Sequence, residues 1–250
     1  MISPIMRTLN KSIFCILVFG IGITSLFAQP SATNSQTDYK IITGRLEKGS
    51  PEQKSIYAQL FGAEDIQQKF DFYFHWYNIA HEYGHCILDF NNKGIGGAKE
   101  EIIVNKYAVC YWRQAGFDKE LIELRDMLEN ALTALPNPVP EGKTFTEWYT
   151  DIWGSPQLMT VHIYGYFQFK SVLIAMEDSH ELSSWFSEVG IDGFNYPEKS
   201  QSPPYPVSAE SAIKYLEDLH HFHEKSTFKV PNVVIELTDD PMTQCSQKVE

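Results

Sequence analysis

A stretch of nineteen residues, FDFYFHWYNIAHEYGHCIL at positions 70–88, constrains the fold more than any other part of the chain. It contains no proline and one glycine, and its apolar residues cover most of the circumference of a helix. That pattern is typical of a helix buried on most sides. The stretch also contains His81, Glu82 and His85, which are costly to bury unless each has a partner. The sequence therefore predicts a buried helix whose polar groups require a common partner.

The spacing of the two histidines favours a metal ion as that partner. Helical residues four apart lie about 40° from each other around the axis, so His81 and His85 can bind one ion. Glu82 lies roughly 100° from His81 and about 60° from His85, which places it near the ion without requiring it to bind. A glutamate in that position is suited to act as general base towards a metal-activated water. The alternative is that both histidines are core residues and that no metal is present.

The motif HEYGH resembles the HExxH active-site helix of the zincin metallopeptidases. The resemblance implies one Zn²⁺ per chain, with His81 and His85 as ligands and Glu82 as the catalytic glutamate. In metzincins a third histidine follows six residues after the second, but that position is Asn91 here, which excludes that group. In gluzincins a glutamate on a second helix completes the site, often in the pattern Glu-x-x-Ala-Asp.

The segment EIIVN at 101–105 resembles this gluzincin element, with Val and Asn in place of Ala and Asp. By that resemblance Glu101 is the third metal ligand, and Asn105 orients a ligand histidine through its side-chain carbonyl. Glu100 is an alternative ligand. Adjacent helical residues point about 100° apart, so Glu100 and Glu101 cannot both face the ion. Asp89 is a weaker competitor, for which we expect a capping or supporting role.

A later apolar segment, VHIYGYF at 161–167, offers groups that could stabilise an oxyanion. Gluzincins commonly take a histidine or tyrosine from a later segment, and His162, Tyr164 and Tyr166 are the candidates here, with His162 first. The alternative is aromatic packing in a core helix. The HHFH sequence at 220–223 could form a second metal site, but we favour exposed histidines placed near a helix C-terminus.

The N-terminal segment is typical of a secretory signal peptide. Two basic residues precede an uncharged, apolar run at 13–28, which is shorter than the roughly 20 residues that a membrane span requires. We therefore predict an exported protein, periplasmic or secreted, without stable membrane insertion after cleavage. The alternative is an uncleaved membrane anchor. The predicted organisation is a signal peptide at 1–28, a linker at 29–37 and one zincin-like domain at 38–250.

Charge and cysteine content limit the partners and the covalent links. Lys and Arg total 20 against 32 Asp and Glu, and the formal charge of -12 argues against nucleic acid as a partner. A peptide or protein substrate follows from the resemblance alone, and the sequence assigns no oligomeric state.

Export permits disulfides, so Cys86 and Cys110 could pair and leave Cys245 free. Three buried free thiols are an equally good alternative.

The remaining segments predict an α+β fold that is mainly helical, in which the HEYGH helix packs on a glutamate-bearing helix. Strands are predicted at 38–46 and 228–237, and helices at 70–88, 98–114, 118–135, 158–177 and 209–224, with a further helix that starts at a capping box, Thr144 to Glu147. The function predicted is an exported zinc-dependent peptidase. The alternative is a non-catalytic, zinc-stabilised binding or structural module derived from a metallopeptidase.

Overall fold

A computed structural model of the protein describes residues 37–158, 160–195 and 208–249. The predicted signal peptide, and all of the predicted linker except Thr37, lie outside these residues. The described part is mainly helical with one small sheet, as the sequence predicts for an α+β fold. Its helices are α1 (Pro51–Phe61), α2 (Ile66–Phe70), α3 (Asn78–Phe90), α4 (Gly97–Gln114), α5 (Asp118–Thr133), α6 (Phe145–Ile152), α7 (Val161–Glu177), α8 (Leu182–Glu188) and α9 (Ser211–His223).

The sheet joins the beginning and the end of the described chain. Its strands are β1 (Tyr39–Gly44), β2 (Val233–Thr238) and β3 (Gln244–Lys248), in the order β2-β1-β3. The central strand β1 pairs in parallel with β2, with Ile41 opposite Ile235, and antiparallel with β3, with Ile41 opposite Ser246. Five of the six β1 residues are buried, as expected for a β-branched strand covered on both faces. The strand predicted at 38–46 is confirmed.

The apolar stretch that constrains the fold is helical throughout, but its geometry changes along its length. Residues Asp71–Tyr77 form a π-helical segment between α2 and α3. Within this segment His75 contacts Asp71 at 2.7 Å through Nδ1 and the carbonyl oxygen of Gly44 at 2.9 Å through Nε2. Through these two contacts, His75 connects the π-helical segment to the end of β1. The helix α3 that follows is almost wholly buried, which confirms the prediction of a buried helix.

Helices α3 and α4 pack closely because α3 carries a glycine at the contact. A Cβ placed on Gly84 would lie 2.9 Å from Cδ1 of Tyr107 and 3.3 Å from Cβ of Val104, so only glycine permits this approach. The connection between the two helices includes Gly96, whose φ of +65° lies in the left-handed region. Residues 91–96 thus form a glycine-containing loop, which returns α4 alongside α3.

Several predicted boundaries agree with the structure, and others differ by a few residues. Helices α4 and α5 begin within one residue of prediction, and the capping box at Thr144 is present. The helix predicted at 158–177 begins at Val161 instead. No helix in the described residues has both the length and the hydrophobicity required to cross a membrane.

The three cysteines in the described residues are buried and form no disulfide, in agreement with the alternative of three buried thiols. The disulfide considered between Cys86 and Cys110 is not formed. Cys86 lines a cavity on one side of α3, whereas the thiol of Cys110 donates to the carbonyl oxygen of His180 at 3.2 Å. The two side chains therefore serve different contacts, although their helices are neighbours.

Candidate metal centre

Three side chains from α3 and α4 converge in a geometry suited to one metal ion. The Nε2 atom of His81 lies 3.3 Å from one carboxylate oxygen of Glu101, and Nε2 of His85 lies 3.3 Å from the other. One ligand atom from each residue can be chosen so that all three lie within 4.8 Å of one another. Within residues 37–158, 160–195 and 208–249, no other group of three or more His, Cys, Asp or Glu side chains meets this criterion.

The separations fit a shared ion better than direct hydrogen bonds. Ligand atoms about 2.0–2.1 Å from a tetrahedral zinc ion lie about 3.3–3.4 Å from one another. A charge-assisted hydrogen bond between imidazole and carboxylate is shorter, about 2.7–2.9 Å. The measured 3.3 Å between each histidine and Glu101 matches the first value. Two imidazoles and one carboxylate are also a ligand set that zinc accepts.

Asn105 fixes the orientation of His81. Its side-chain oxygen lies 3.1 Å from Nδ1 of His81 and also accepts a hydrogen bond from the hydroxyl of Tyr77 at 3.1 Å. Its side-chain nitrogen donates to the backbone carbonyl of Glu101 at 2.9 Å. When His81 donates through Nδ1, its Nε2 presents a lone pair towards Glu101, as a metal ligand must.

Glu100 holds His85 and is not part of the three-residue group. One of its carboxylate oxygens lies 2.8 Å from Nδ1 of His85. The other accepts hydrogen bonds from the backbone nitrogens of Ile95 at 2.7 Å and Gly96 at 2.5 Å. Glu100 therefore connects a candidate ligand to the glycine-rich loop. The other competitor, Asp89, accepts a hydrogen bond from the hydroxyl of Tyr39 at 2.6 Å and also lies outside the group.

Electrostatics at the site favour a cation. When protons rather than an ion lie between the histidines and Glu101, burial raises the pKa of Glu101. The charge of protonated His85 and hydrogen bonds from His81 and His85 then outweigh burial and hold this pKa well below its usual range. Burial lowers the pKa of His85, but Glu101 and Glu100 outweigh it and raise the pKa well above its usual value. The carboxylates thus create a position for positive charge, for which a proton and a divalent ion compete.

The site opens into a cavity of about 620 Å³. His81, His85 and Glu101 line this cavity, and Glu82 lines it beside them. Glu82 is 8% exposed, and one of its carboxylate oxygens lies 3.4 Å from the side-chain nitrogen of Asn78. The volume is within the range of about 300–1,000 Å³ that is usual for small-molecule and substrate pockets.

Helix α7 contributes Tyr164 to the cavity, not His162. Tyr164 lines the cavity, and its hydroxyl oxygen accepts a hydrogen bond from Nε2 of Gln168 at 2.7 Å. The same nitrogen lies 3.4 Å from a carboxylate oxygen of Glu101. The side chain of His162 is exposed and is not among the residues that line the cavity. The structure therefore places His162, the candidate preferred from the sequence, outside the cavity.

Helical periodicity could have identified which residues of α7 face the cavity. Val161, Tyr164, Gly165 and Gln168 all line the cavity, and this i, i+3, i+4, i+7 pattern defines one face of a helix. His162 lies off that face. Tyr166 packs against the ring of Phe145, with ring centroids 6.5 Å apart, and does not line the cavity.

The histidines of the HHFH sequence serve other contacts. His220 lies 3.3 Å from the hydroxyl of Tyr83, and His221 contacts Glu224 at 2.6 Å. His223 is fully buried, with Nε2 at 2.6 Å from the hydroxyl of Tyr107. Our favoured interpretation, exposed histidines at a helix C-terminus, is correct for His221 and wrong for His223.

Comparisons with protein-family models, with curated proteins and with solved structures find no match for this chain. The resemblance to the zincins therefore depends on two short segments, HEYGH and EIIVN, and on how the structure arranges them. His81, His85 and Glu101 form the group of candidate ligands, and Glu82 lines the same cavity.

Proposed function

We propose that this protein is an exported zinc-dependent peptidase of the gluzincin type, with a zincin-like arrangement of α3 against α4. The observation that carries the proposal is the convergence of His81, His85 and Glu101 beside a cavity that Glu82 also lines. When bound there, zinc supplies Lewis-acid polarisation of a carbonyl and lowers the pKa of a water molecule to about 7. Export is proposed from the N-terminal sequence, and a peptide or protein substrate from the resemblance.

In this proposal Glu82 moves the proton. Its carboxylate takes a proton from the attacking water and transfers it to the nitrogen of the leaving amine. The position immediately after His81 on the same helix keeps Glu82 beside the reacting atoms without making it a ligand. Its hydrogen bond from Asn78 is long, at 3.4 Å, and holds the carboxylate only weakly.

Tyr164 takes the role of oxyanion donor that the sequence assigned to His162. Since Gln168 donates to the hydroxyl oxygen of Tyr164, this contact does not use the hydroxyl hydrogen, which can be donated to a substrate oxygen. Tyr164 lines the cavity, and Gln168 also lies beside Glu101, so the hydroxyl is held near the candidate ligands. A donor in this place stabilises the negative charge that develops on the carbonyl oxygen.

The alternative, a non-catalytic zinc-stabilised module, is motivated by Asn105 where the gluzincin pattern has Asp. The contacts of Asn105 are compatible with a bound metal ion. Its nitrogen donates to the backbone carbonyl of Glu101, and an aspartate would place a second acceptor oxygen against that carbonyl. Asn105 still accepts from His81, so the ligand remains oriented. Both proposals require that oriented ligand, and we prefer the peptidase because Glu82 and Tyr164 line the same cavity.

The test is cleavage of a broad library of internally quenched peptides by zinc-loaded protein. We expect cleavage that a chelator abolishes and added zinc restores. Glu82→Gln is expected to retain zinc and lose activity by about 10²- to 10⁴-fold, because the general base is removed while the ligands remain. Full activity in Glu82→Gln would exclude the mechanism. A folded, zinc-loaded wild type that cleaves nothing in the library would instead support the non-catalytic module.

A further inference from the structure

A buried hydroxyl close to the candidate metal centre lacks a hydrogen-bond partner. Tyr149, in α6, is fully buried, and its hydroxyl forms no hydrogen bond with any group in residues 37–158, 160–195 and 208–249. A buried donor of this kind costs free energy, because it has lost its hydrogen bonds to water and gained none in the protein. Such groups are rare in folded proteins, so one beside a candidate site points to a contact that forms when the site is filled.

Packing holds the ring of Tyr149 next to the helix that carries Glu101. The ring stacks on that of Phe167 in α7, with centroids 3.7 Å apart, and meets the ring of Trp153 edge to face at 5.2 Å. Tyr149 also shares a buried cluster with Ala98, which lies three residues before Glu101 on α4 and is therefore its neighbour on the helix surface. The ring is thus fixed where α4, α6 and α7 meet.

Two further observations place the hydroxyl of Tyr149 near Glu101. Gln168, the residue after Phe167 on α7, has Nε2 3.4 Å from a carboxylate oxygen of Glu101. Burial, and then the charge of Glu101, raise the pKa of the Tyr149 hydroxyl. Tyr164 lines the cavity, whereas Tyr149 does not. The hydroxyl of Tyr149 is therefore available to the candidate ligand and not to a substrate.

Glu101 requires a further donor when it binds an ion. Each of its carboxylate oxygens faces one histidine Nε2 at 3.3 Å. With an ion between them, the histidines present lone pairs and no longer donate to the carboxylate. Carboxylates that bind metals are themselves held by hydrogen bonds. The contact of 3.4 Å from Gln168 is long, and the same nitrogen donates to Tyr164 at 2.7 Å, so a second donor is needed.

We infer that Tyr149 is a positioning residue of the metal centre, whose hydroxyl donates a hydrogen bond to the carboxylate of Glu101 when zinc is bound. The inference rests on the proposed function, because it requires Glu101 as a ligand. It explains why a tyrosine occupies this place in a mostly apolar cluster, where phenylalanine would supply the same ring without an unpaired donor. The hydrogen bond orients Glu101 towards the ion and so strengthens zinc binding.

Two measurements on Tyr149→Phe test this inference, and their expected changes have opposite signs. The dissociation constant for zinc is expected to rise about 10- to 100-fold, because Glu101 loses a supporting hydrogen bond. The zinc-free variant is expected to unfold at the same urea concentration as wild type or at a higher one, because it lacks the unpaired hydroxyl and keeps the ring. A tyrosine that served the fold alone would lower the urea midpoint and leave the zinc affinity of the folded protein unchanged.

Tyr166→Phe is the matched control. Tyr166 packs against Phe145 and lies outside the cavity, so this variant is expected to keep the wild-type zinc affinity. Unchanged zinc affinity in Tyr149→Phe, or a zinc-free variant that is less stable than wild type or fails to fold, would overturn the inference and leave the metal centre intact. A wild type that binds no zinc would contradict the metal centre and the inference together. A wild type that binds zinc and cleaves no peptide would count against the proposed peptidase alone.

Discussion

At the scale of single residues, Asn105 connects both helices of the candidate metal centre. It accepts from His81 and donates to the backbone of Glu101. We expect Asn105→Ala to raise the dissociation constant for zinc about 10- to 100-fold, because His81 loses the contact that orients it. Competition with a chromophoric chelator measures this constant.

A matched asparagine tests whether the effect is specific. Asn91 donates to the carbonyl oxygens of Ile87 and Lys229, away from the candidate ligands. Asn91→Ala is expected to leave the zinc affinity unchanged. Equal affinities for wild type and Asn105→Ala would mean that the hydrogen bond to His81 does not support the site.

The buried His223 gives the protein a pH-dependent stability. Burial, and then the charge on His220, lower the pKa of His223 to about 3, so the folded protein keeps this ring neutral. The unfolded chain binds a proton near pH 6.5, and the contribution is therefore complete above that pH and is lost as the pH falls towards 3. From pH 7 to pH 4 the loss is on the order of 3 kcal/mol.

Denaturant unfolding at a series of pH values tests this prediction. His223→Gln keeps an acceptor for the hydroxyl of Tyr107 but removes the titration, so its stability is expected to fall less between pH 7 and pH 4. His221→Gln is the control, because the side chain of His221 is 69% exposed. Parallel pH profiles for wild type and His223→Gln would show that His223 does not cause the dependence.

At the scale of elements, the close contact between α3 and α4 depends on Gly84. A Cβ at this position would lie 2.9 Å from the buried ring of Tyr107. We expect Gly84→Ala to destabilise the fold by about 1–3 kcal/mol, despite the better helix propensity of alanine, because the helices must separate. The same separation moves Glu101 away from the histidines, so zinc affinity is expected to fall.

Gly165 in α7 is the matched glycine. A Cβ there meets Cδ1 of Leu135 at 3.7 Å, which is ordinary contact. Gly165→Ala is therefore expected to be neutral or slightly stabilising. Denaturant unfolding and zinc titration of both variants test the contrast, and equal stability of the two would contradict the close packing of α3 on α4.

The elements also show what local sequence can predict. The spacing of apolar residues and the positions of helix-breaking residues locate α3, α4 and α5, because each helix has a clear apolar pattern and a clear end. Helix α1 was missed, although Ser50 and Gln53 form a capping box that local sequence contains. The π-helical geometry of Asp71–Tyr77 has no such local signal, because the sequence of this segment has the pattern of an ordinary α-helix.

At the scale of the whole molecule, the cavity depends on contacts between distant parts of the chain. The strand β3 was not predicted, and it lines the cavity only because it pairs with β1, about two hundred residues earlier. The motif residues of the metal centre lie within 25 positions, from His81 to Asn105, so the sequence could identify them. Tyr57 from α1 and Tyr164 from α7 line the same cavity, and their proximity follows from tertiary packing alone.

The central claim is that His81, His85 and Glu101 hold one zinc ion. The most direct measurement is the zinc content of the folded protein after it is supplied with zinc and dialysed exhaustively, with His81→Ala measured in parallel. The account predicts close to one zinc per chain in the wild type and loss of this zinc in His81→Ala. A folded wild-type protein that retains no zinc, without exposure to any chelator, would contradict the metal centre and the peptidase proposed from it.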